Sequence, residues 1–473
     1  MSIPRVVIAA LKGGAGKTFL TIGLARALKA RGLPTAVFKK GPDYIDAGWL
    51  GLAAGGDCYN LDSYLFEDKV VLGSFLRGSI GKEIAVVEGN RGLFDGVDSS
   101  GSFSTAELAK LLVAPVVLVI DATKVTRTAA AMVLGCKALD PSVHLRGVIL
   151  NRVGGMRHER VLRDSIENAA EVPVIGSVSK LPLTSFPQRH LGLLPLYEHP
   201  RAIDFVTEAA RVVERSVDLE RLLEIAADAP FWEGDRYALE RLVPTQSYGG
   251  LRIGVLRDSA FQFYYPENLE ALTGHGAEIV NVSALDPVPL PQIDALYIGG
   301  GFPETHAERL SSNHVFKDSV RSAVLMGLPV YAECGGLMYL SRNIRVDEKV
   351  YPMVGVLPVS AVLERKPQGH GYLTVEVASP NPFYPEGTVL TGHEFHYSYV
   401  TAVEGNEATY SFRVLRGHGI DGVRDGLCTR NVLGTYLHVH ALGAPLWAEG
   451  ILRRAQQFRK SCLRDNDSLC STG

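Results

Sequence analysis

The sequence of 473 residues lacks two features, a long hydrophobic run and an excess of one charge. No apolar stretch approaches the roughly 20 residues that a helix needs to span a bilayer. The formal net charge is −3, from 48 basic and 51 acidic residues. This balance gives no electrostatic footprint for nucleic acid or for an anionic membrane surface. We therefore expect neither a membrane nor a nucleic acid among the partners of the protein.

Cysteine is also scarce, and the signals of secretion are missing. The six cysteines are scattered without the spacing of metal ligands, at Cys58, Cys136, Cys334, Cys428, Cys462 and Cys470. In a chain of this length they are expected to be reduced thiols. The sequence enters a strand pattern at once, with no basic n-region, apolar h-region or cleavage site. These features together predict a cytoplasmic protein.

Glycine, by contrast, is abundant, with 49 residues beside a 46% share of hydrophobic residues. This composition is typical of a well-packed α/β protein with many tight turns. The chain is also too long for one ordinary core. We predict a first domain over 1–200, a helical linker over 201–248, a second domain over 249–460 and a flexible tail over 461–473. The turn-rich segment Val243–Gly250 (VPTQSYGG) marks the boundary.

Short apolar segments alternate with helical patterns through the first half of the chain. The predicted strands are Arg5–Ala10, Thr35–Lys39, Ile84–Glu88, Val116–Asp121, Leu145–Asn151 and Val174–Ser177. Helices are predicted between them, for example at Thr18–Arg31 and Ser104–Leu112. A second α/β series begins at Leu251 and becomes rich in β-structure from Gly355 to Leu415. The pattern predicts a doubly wound parallel sheet followed by a second α/β domain.

The segment Leu11–Thr18, LKGGAGKT, follows the first predicted strand and opens the first predicted helix. It is a variant P-loop, because Leu11 occupies the first glycine position of the usual motif. The glycines let backbone N–H groups point at phosphate oxygens, Lys17 adds a charge, and Thr18 offers a hydroxyl to Mg²⁺. An ordinary turn is the alternative, but the strand–loop–helix context with Lys-Thr disfavours it. We expect ATP to be bound by Lys12, Gly13, Gly14, Gly16, Lys17 and Thr18.

Two further residues are expected near the nucleotide. Lys12 resembles the signature lysine of the deviant P-loop ATPases, which often reaches a nucleotide across a dimer, so that a homodimer is a further expectation. Asn151 ends the predicted strand GVILN and is placed to read the adenine edge. A role for Asn151 as a turn residue is a nearly equal alternative.

Carboxylates must accompany a P-loop, since Mg²⁺ takes oxygen ligands. Asp43 and Asp46 follow the second predicted strand, and Glu88 and Asp95 lie at and after the third. The carboxyl ends of parallel strands meet at one edge of the sheet, so these acids are expected to converge on the nucleotide. For Asp43 and Asp46 the alternative is a role as turn formers after Gly-Pro.

The segment Val330–Leu340, VYAECGGLMYL, has the form of a nucleophile elbow. An apolar strand runs into a sharp turn that carries Cys334 among small residues, and the following helix N-terminus is expected to lower the thiol pKa. Backbone N–H groups after Cys334 and in Gly299–Glu304 are expected to form an oxyanion hole. His438 in GTYLHVH is the expected base. The alternative for Cys334 is a buried small hydrophobe.

Taken together, these motifs make the chain similar to the cobyrinic acid a,c-diamide synthases, two-domain amidotransferases of corrinoid biosynthesis. The motifs occur in family order over nearly the whole chain, as GGAGKT, KKGPDYIDAG, VVEGNRGLFDG, RHLGLLPLYE, AFQFYYPENLEAL, YIGGGFPE, YAECGGLMYL, GHEFHYS and GTYLHVH. The resemblance implies a dethiobiotin-synthetase-like P-loop ATPase domain followed by a class I glutamine amidotransferase-like domain. It implies that the a and c acetates of cobyrinic acid are amidated through acyl phosphates, with ATP, L-glutamine and the tetrapyrrole as partners.

The resemblance also implies residue roles. Cys334 and His438 would be catalytic. The substrate-binding residues would be Asp43, Tyr44 and Asp95, and the Mg²⁺ ligands would be Thr18, Asp46 and Glu88.

Three positions depart from the family pattern. His440 stands where a glutaminase triad usually has an acid, two residues past the catalytic histidine, a gap that members of this family share. Lys12 replaces a serine or threonine, and Trp49 lies in a segment where the family often has a histidine.

The motifs leave alternative substrates open, namely nickel-sirohydrochlorin, sirohaem and hydrogenobyrinic acid. A hypothesis of another class is a switch ATPase like ParA or MinD, for which Lys12 is the best support. That hypothesis gives Cys334 no function and predicts a membrane helix or basic surface, neither of which the composition shows.

Overall fold

The computed structural model describes residues 3–180, 188–189, 192–231, 246–402 and 409–470. The chain divides into two compact units, Met1–Leu242 and Val243–Gly473, called here the first and the second unit. Within the described residues, no helix is long and apolar enough to cross a membrane.

The first unit contains a parallel sheet with strand order β3-β2-β4-β1-β5-β6-β7 among its described residues. These strands are β1 (Arg5–Ala10), β2 (Thr35–Lys40), β3 (Cys58–Leu61), β4 (Ile84–Glu88), β5 (Val116–Asp121), β6 (Leu145–Val153) and β7 (Val174–Ser179). The helices are α1 (Lys17–Ala30), α2 (Tyr44–Ala54), α3 (Asp68–Gly78), α4 (Thr105–Leu111), α5 (Thr128–Leu139), α6 (Met156–Ala170), α7 (Ala202–Ser216) and α8 (Leu219–Ala227). The short strands β8 (Gln188–Arg189) and β9 (Gly192–Leu193) form a separate antiparallel pair.

All six strands predicted for the first half are present, and most of their bounds agree within one residue. The sequence reading missed β3, because CYNL is short and contains Asn60 at a buried position. The doubly wound parallel fold predicted for this half is confirmed.

The segment predicted as a helical linker is, in its described part, a layer of the first unit. Helix α7 buries Ala210 and Val213 in the same apolar cluster as Leu24 and Leu28 of α1. A methyl group on Gly23 of α1 would lie 2.5 Å from the carbonyl oxygen of Ala209, so the two helices are in close contact. The charges that indicated a linker lie on the outer face of α7. Residues 232–245, which include part of the predicted boundary turn, lie outside the described residues, as do residues 190 and 191 of the RHLGLLPLYE motif.

The second unit contains, in its described part, a mixed sheet with strand order β11-β10-β12-β13-β22-β21-β20-β17-β18. The strands from β11 to β22 in this order are parallel, and the remaining neighbours are antiparallel. They are β10 (Arg252–Leu256), β11 (Glu278–Val282), β12 (Ala295–Ile298), β13 (Val330–Glu333), β17 (Gly369–Val377), β18 (Val389–His396), β20 (Thr409–Arg416), β21 (Arg424–Thr429) and β22 (Val432–Thr435). A smaller sheet, ordered β15-β14-β16-β19, consists of β14 (Asn343–Val346), β15 (Lys349–Pro352), β16 (Val359–Leu363) and β19 (Ser398–Ala402).

The helices of the second unit cover the parallel part of its sheet. They are α9 (Pro266–Gly274), α10 (Ala307–Ser312), α11 (His314–Leu325), α12 (Gly335–Leu340) and α13 (Leu446–Cys470). The structure continues α13 to Cys470, where the polar composition predicted a flexible tail from residue 461. Buried Trp447, Ile451 and Ala455 pack the first turns of α13 on the sheet, and helix-forming residues extend it.

Candidate active sites

The P-loop lies between β1 and α1, and two of its glycines adopt backbone conformations that favour glycine. Gly14 and Gly16 have φ angles of 72° and 95°, in the left-handed region that favours glycine. A methyl group on Gly16 would lie 2.2 Å from Asn151 Nδ2. By contrast, the space around a side chain at Gly13 is open within 4 Å. The loop therefore has a fixed inner side and an open outer side.

Asn151 and Lys17 both contact the backbone around the loop. The Asn151 side-chain amide, on β6, donates a hydrogen bond to the carbonyl oxygen of Ala15 at 2.8 Å. Lys17 Nζ donates to the carbonyl oxygen of Arg91 at 2.6 Å, and burial lowers the pKa of Lys17. The structure thus gives Asn151 a supporting contact under the loop, and its predicted role in reading adenine stays a prediction.

The three residues expected to hold Mg²⁺ lie together. Thr18 Oγ1 donates to Glu88 Oε1 at 2.7 Å and lies 3.3 Å from Asp46 Oδ2. A residue that the sequence reading missed, Lys39, joins them: its Nζ lies 2.7 Å from Asp46 Oδ2 and 2.9 Å from Glu88 Oε1. The signal for Lys39 was a lysine within the buried strand TAVFKK.

Two members of this cluster, Glu88 and Lys39, are deeply buried, and the ammonium offsets part of the charge of the two carboxylates. Glu88 is 0% exposed and Lys39 is 2% exposed. Burial raises the pKa of Glu88, and the charge of Lys39 opposes that effect. Although burial opposes it, the carboxylates of Asp46 and Glu88 hold the pKa of Lys39 above its ordinary value. A buried ammonium between two carboxylates is the arrangement that keeps such charges tolerable.

The donor set fits a magnesium ion. Two carboxylates and a hydroxyl are hard oxygen ligands, and Mg²⁺ usually uses one or two carboxylates together with water and substrate phosphates. Glu88 Oε2 is buried and has no hydrogen-bond partner among the described residues. That part of the chain also contains no group of three or more His, Cys, Asp or Glu side chains suited to a metal. The site therefore suits an ion that is partly held by phosphate and water.

The residues predicted to bind substrate lie around the same edge of the sheet. Asp43 caps α2 by accepting a hydrogen bond from the backbone N–H of Asp46 at 2.9 Å, and burial raises its pKa to about 7. Tyr44 follows it as the first residue of α2. Asp95 accepts a hydrogen bond from the N–H of Gly92 at 2.8 Å, in the loop after β4. The cap confirms the alternative turn role of Asp43 without removing its carboxyl group from the cluster.

Two of the departures from the family pattern have a definite place. Lys12 is exposed, with its Nζ 3.7 Å from Asp121 Oδ2, and the same carboxylate accepts a hydrogen bond from Arg152 at 2.8 Å. Trp49 is fully buried in α2, where its ring packs on Phe205 at 5.0 Å and its N–H donates to the carbonyl oxygen of Leu194. Trp49 is therefore a core residue of the first unit.

The second candidate site is built on the turn between β13 and α12. Cys334 has φ 47° and ψ −97°, a strained conformation for a residue with a side chain, as a nucleophile elbow requires. Its backbone N–H donates to the carbonyl oxygen of Thr435 at 2.7 Å, which ties the elbow to β22. The predicted elbow is thus present in the backbone.

The thiol of Cys334 differs from the expectation in its acidity. Burial raises the pKa of Cys334, and the carboxylate of Glu304 adds to this rise, while the N–H of Gly335 opposes it. We expected the helix N-terminus to lower the pKa. Helix α12 has only six residues, and the side chain is 6% exposed, so loss of hydration outweighs the helix end in the free protein.

Glycine allows three backbone segments to meet at this elbow. A methyl group on Gly300 would lie 2.5 Å from Cε1 of His438, and one on Gly335 would lie 3.1 Å from the N atom of Gly301. Likewise, a methyl group on Gly392 would lie 2.1 Å from the carbonyl oxygen of His438. The loop after β12, the elbow and the segment carrying His438 are therefore in direct contact, as the predicted site requires.

Residues from two strands, β13 and β18, lie beside the imidazole of His438. The Glu333 carboxylate lies 3.5 Å from His438 Nδ1, and His393 of β18 stacks on the ring with centroids 4.8 Å apart. The backbones of His393 and His438 also form an isolated bridge, with hydrogen bonds of 2.8 and 3.2 Å. Burial lowers the pKa of His393 well below its ordinary value, and the nearby His438 adds to this.

His440, at the position where an acid is usual, has a different partner. Its Nε2 lies 3.5 Å from Glu267 Oε1, and Tyr265 packs against its ring at 4.4 Å. The neighbouring Asn268 donates to the carbonyl oxygen of Val439 at 2.8 Å. The sequence reading missed both Glu333 and Glu267 as neighbours of the histidines. Glu333 had one signal, a carboxylate directly before the nucleophile, whereas nothing in the sequence links Glu267 to His440.

Most described contacts of the motif GHEFHYS are packing contacts within the second unit. Glu394 accepts backbone hydrogen bonds from His418 and Gly419, at 2.6 and 2.8 Å, and so holds the turn before β21. His396 stacks on Tyr436 with centroids 3.6 Å apart. Of this motif, only His393 reaches the His438 ring.

Two protein-family models match the chain. Residues 6–193 match the CobQ/CobB/MinD/ParA nucleotide binding domain, and residues 252–445 match the CobB/CobQ-like glutamine amidotransferase domain. Each match covers the elements that carry one of the two sites described above.

Curated relatives are similar over almost the full length. A protein of Magnetococcus marinus named cobyrinate a,c-diamide synthase is 42% identical over 95% of this chain and 97% of its own length. A protein of Archaeoglobus fulgidus with the same name is 42% identical over 97% of this chain and 98% of its own length. One from Dehalococcoides mccartyi, again so named, is 40% identical over 97% of this chain and 99% of its own length. A solved structure described as a crystal structure of glutamine amidotransferase has 20% identity to this chain and a TM-score of 0.33. The match covers 43% of this chain and 98% of that chain.

Proposed function

The chain belongs to the family of cobyrinate a,c-diamide synthases, and we propose that it amidates the a and c acetate carboxylates of cobyrinic acid. It is a glutamine-dependent carbon–nitrogen ligase of cobalamin biosynthesis. The observation that carries the proposal is similarity to such synthases through both units, the nucleotide-binding one and the amidotransferase one. The switch-ATPase alternative explains only the first unit and leaves the elbow at Cys334 without a function.

The second unit would release ammonia from glutamine. The Cys334 thiol passes its proton to His438, and the thiolate attacks the side-chain amide carbon of glutamine. The C–N bond breaks as His438 returns the proton to the leaving nitrogen, which departs as ammonia and leaves a glutamyl thioester. Water, deprotonated by His438, then cleaves the thioester and releases glutamate. Backbone N–H groups at Gly335 and in the loop after β12 would bind the oxyanion of each tetrahedral intermediate.

The first unit would activate the acetate carboxylate. A carboxylate is a poor acyl electrophile, so its oxygen first attacks the γ-phosphorus of ATP and ADP leaves. Ammonia then attacks the acyl carbon, inorganic phosphate departs, and a proton is lost to give the amide. Lys17 and the loop N–H groups would stabilise charge on the transferred phosphoryl group. Thr18, Asp46 and Glu88 would hold Mg²⁺, which when bound neutralises phosphate charge.

The proposed substrate residues suit a polyacidic ring. Because burial raises the pKa of Asp43 to about 7, this carboxyl group is partly protonated near neutral pH and can donate a hydrogen bond to a substrate carboxylate. Tyr44 and Asp95 would complete the contact. The related acids nickel-sirohydrochlorin, sirohaem and hydrogenobyrinic acid present equivalent acetates and belong in the substrate panel.

The test is mass spectrometry of cobyrinic acid after incubation with MgATP and glutamine. Two successive conversions of an acid to an amide are expected, and the three related tetrapyrroles are run in parallel. Cys334→Ser should abolish the reaction with glutamine and leave the reaction with ammonium salts within about threefold of the unaltered protein, because only the first donor needs the thiol. A protein that hydrolyses ATP beside every ring acid and forms no amide from either donor would refute the proposal.

We further propose a cytoplasmic enzyme with a homodimeric arrangement. The cysteines whose side chains the structure describes, Cys58, Cys136, Cys334, Cys428 and Cys462, are free thiols, which supports a reducing compartment. The exposed Lys12 supports the dimer, since it is available to reach a second nucleotide. Sedimentation velocity with and without ATP tests the oligomeric state.

A further inference from the structure

In many cysteine–histidine sites a third group fixes the tautomer of the imidazole and stabilises its charged form. The usual position for that group, two residues past His438, is taken by His440. We propose that Glu333, the residue directly before the nucleophile, performs this function as a positioning residue for His438. This inference rests on the glutaminase step of the proposed function.

The distance and the burial of Glu333 carry the inference. Its Oε2 lies 3.5 Å from His438 Nδ1, and its side chain is 0% exposed. In the sheet, Glu333 is paired with Thr435 of β22, three residues before His438. Adjacent strands thus deliver the carboxylate and the imidazole to one place, while the next residue of the same strand end is Cys334. An ionised carboxylate buried this completely requires a charged or strongly hydrogen-bonding partner.

Two hydrogen bonds hold the carboxylate in orientation. The backbone N–H of Val439, next to the histidine, donates to Glu333 Oε1 at 3.3 Å. The hydroxyl of Tyr297 donates to Oε2 at 3.2 Å. Both donors are neutral groups, so neither of them is a cation that would compete with the imidazolium formed when His438 takes the thiol proton. The stacked His393 does not compete for that role, because burial keeps it neutral.

The orientation of the ring agrees with this function. A carboxylate at Nδ1 favours the tautomer with hydrogen on Nδ1, which leaves Nε2 free to accept a proton. Nε2 faces the loop after β12, since a methyl group on Gly300 would lie 3.4 Å from it. The Nε2 edge of the ring, opposite the edge that faces Glu333, therefore points to the loop that contacts the elbow and is predicted to contribute to the oxyanion hole.

The Glu267–His440 pair gives a matched control. It too has a carboxylate oxygen 3.5 Å from an imidazole nitrogen, here Nε2 of His440, and both side chains are buried. Its contacts hold the segment that follows His438, and we assign it no part in the chemistry. A comparison of Glu333→Gln with Glu267→Gln therefore separates positioning of His438 from loss of a buried charge in general.

The first readout is hydrolysis of glutamine by the full chain, in parallel with ammonia-dependent amidation. In Glu333→Gln the side-chain oxygen can still accept from Val439, whereas the new amide N–H donates to Nδ1 and favours the wrong tautomer. We expect the kcat for glutamine to fall about 10²- to 10⁴-fold, with KM within about threefold. Ammonia-dependent amidation should stay within about threefold, and Glu267→Gln should keep the kcat for glutamine within about fivefold.

The second readout is the pH profile of kcat/KM for glutamine. The groups that face His438 are Glu333 on β13 and His393 on β18, with the Tyr297 hydroxyl behind Glu333. Because a nearby negative charge favours a protonated base, removal of the carboxylate should displace the acidic limb toward lower pH. A merely structural role would lower the rate and leave the limb in place.

Glu333→Asp covers the case in which the glutamine variant does not fold. Glu333→Asp retains the carboxylate but places it one methylene group farther from His438. We therefore expect its kcat for glutamine to fall less than that of Glu333→Gln. If Glu333→Gln gives no measurable rate, Glu333→Asp should still give one. The inference is wrong if Glu333→Gln keeps both the rate and the acidic limb, or if Glu267→Gln shows the larger loss. Because glutamine hydrolysis requires no tetrapyrrole, an error in the proposed ring substrate would leave this result unaffected.

Discussion

Several ionisable side chains of this protein are almost fully buried, and their chemistry follows from burial and from their charged neighbours. Lys39 stays charged because it lies between Asp46 and Glu88. Burial raises the pKa of the Cys334 thiol, and the carboxylate of Glu304 adds to this rise. A thiol of this kind becomes nucleophilic only when a base removes its proton within the bound complex. This is the physical reason for the role proposed for His438 in both steps of the glutaminase reaction.

A substitution at Glu88 tests the proposed magnesium site. Glu88→Gln removes a buried carboxylate and leaves the Lys39–Asp46 ion pair as the remaining one of the two that the described residues form with Lys39. We expect amidation with either glutamine or ammonia to fall about 100-fold or more, because both depend on the acyl phosphate. Hydrolysis of glutamine should stay within about threefold. The control is Glu83→Gln, at an exposed position just before the same strand, which should behave as the unaltered protein. Equal activity of both variants would remove Glu88 from the site.

At the scale of elements, both units contain the same strand–turn–helix arrangement. In each, a buried strand ends in a glycine-containing turn, and a helix begins directly after the turn. In the first unit β1 leads through the P-loop into α1, and in the second β13 leads through the elbow into α12. The turns work because glycine lets a second backbone approach closely. Caps fix the neighbouring helices, as where Ser104 accepts a hydrogen bond from the N–H of Glu107 at the start of α4.

Gly300 provides a test of this close approach. In Gly300→Ala the added methyl group would lie 2.5 Å from Cε1 of His438, and the ring must move. A displacement of about 1 Å is expected to lower the kcat for glutamine about 100-fold. Gly249→Ala, in the same unit with its nearest atom at 4.0 Å, is the matched control and should have no effect. Ammonia-dependent amidation measures whether the rest of the molecule is intact. Normal glutamine turnover in Gly300→Ala would contradict the described packing.

At the scale of the whole molecule, each unit has its own hydrophobic core, and the proposed mechanism assigns glutamine hydrolysis to the second unit and carboxylate activation to the first. The glutaminase residues come from the second unit and the nucleotide residues from the first. Selective loss of one step by a local substitution is therefore the expected behaviour. The stability of the two units should likewise respond to different buried groups.

Asp425 gives a prediction about stability. It is 0% exposed, and burial raises its pKa to about 6, against the hydrogen bonds donated by Gly426, Thr435 and Tyr436. Because the folded pKa lies above the unfolded value of about 4, the native state binds this proton more tightly. The stabilisation is full below about pH 4 and is lost as the pH rises through about 6, which amounts to about 3 kcal/mol.

The measurement is the urea midpoint of the full chain between pH 4 and pH 7. Asp425→Asn should flatten the decline of the second unit's stability over this interval. Asp421→Asn is the control, because the pKa of Asp421 is lowered: slight burial would raise it, but the hydrogen bonds from Arg424 prevail. Asp421→Asn should therefore change the pH dependence of stability only at more acidic pH. A decline that is unchanged in Asp425→Asn would show that another group causes it.

The sequence by itself determined the local features of this protein. Consecutive residues specify the strands of the first half, the P-loop and the elbow at Cys334. This is so because periodicity, glycine placement and helix caps act over a few positions. Full-length similarity to a,c-diamide synthases followed from motifs of the same kind, and the comparisons confirm it. The short strand β3 lacked such a signal and was missed.

Only the tertiary structure decided which distant residues meet and how deeply they are buried. It brought Lys39 between Asp46 and Glu88, packed α7 and α8 on the first unit, and set Glu333 beside His438. It also reversed the expected direction of the Cys334 pKa, since loss of hydration depends on every atom around the thiol. Strand order and burial are properties of the assembled chain, so no short segment of sequence contains them.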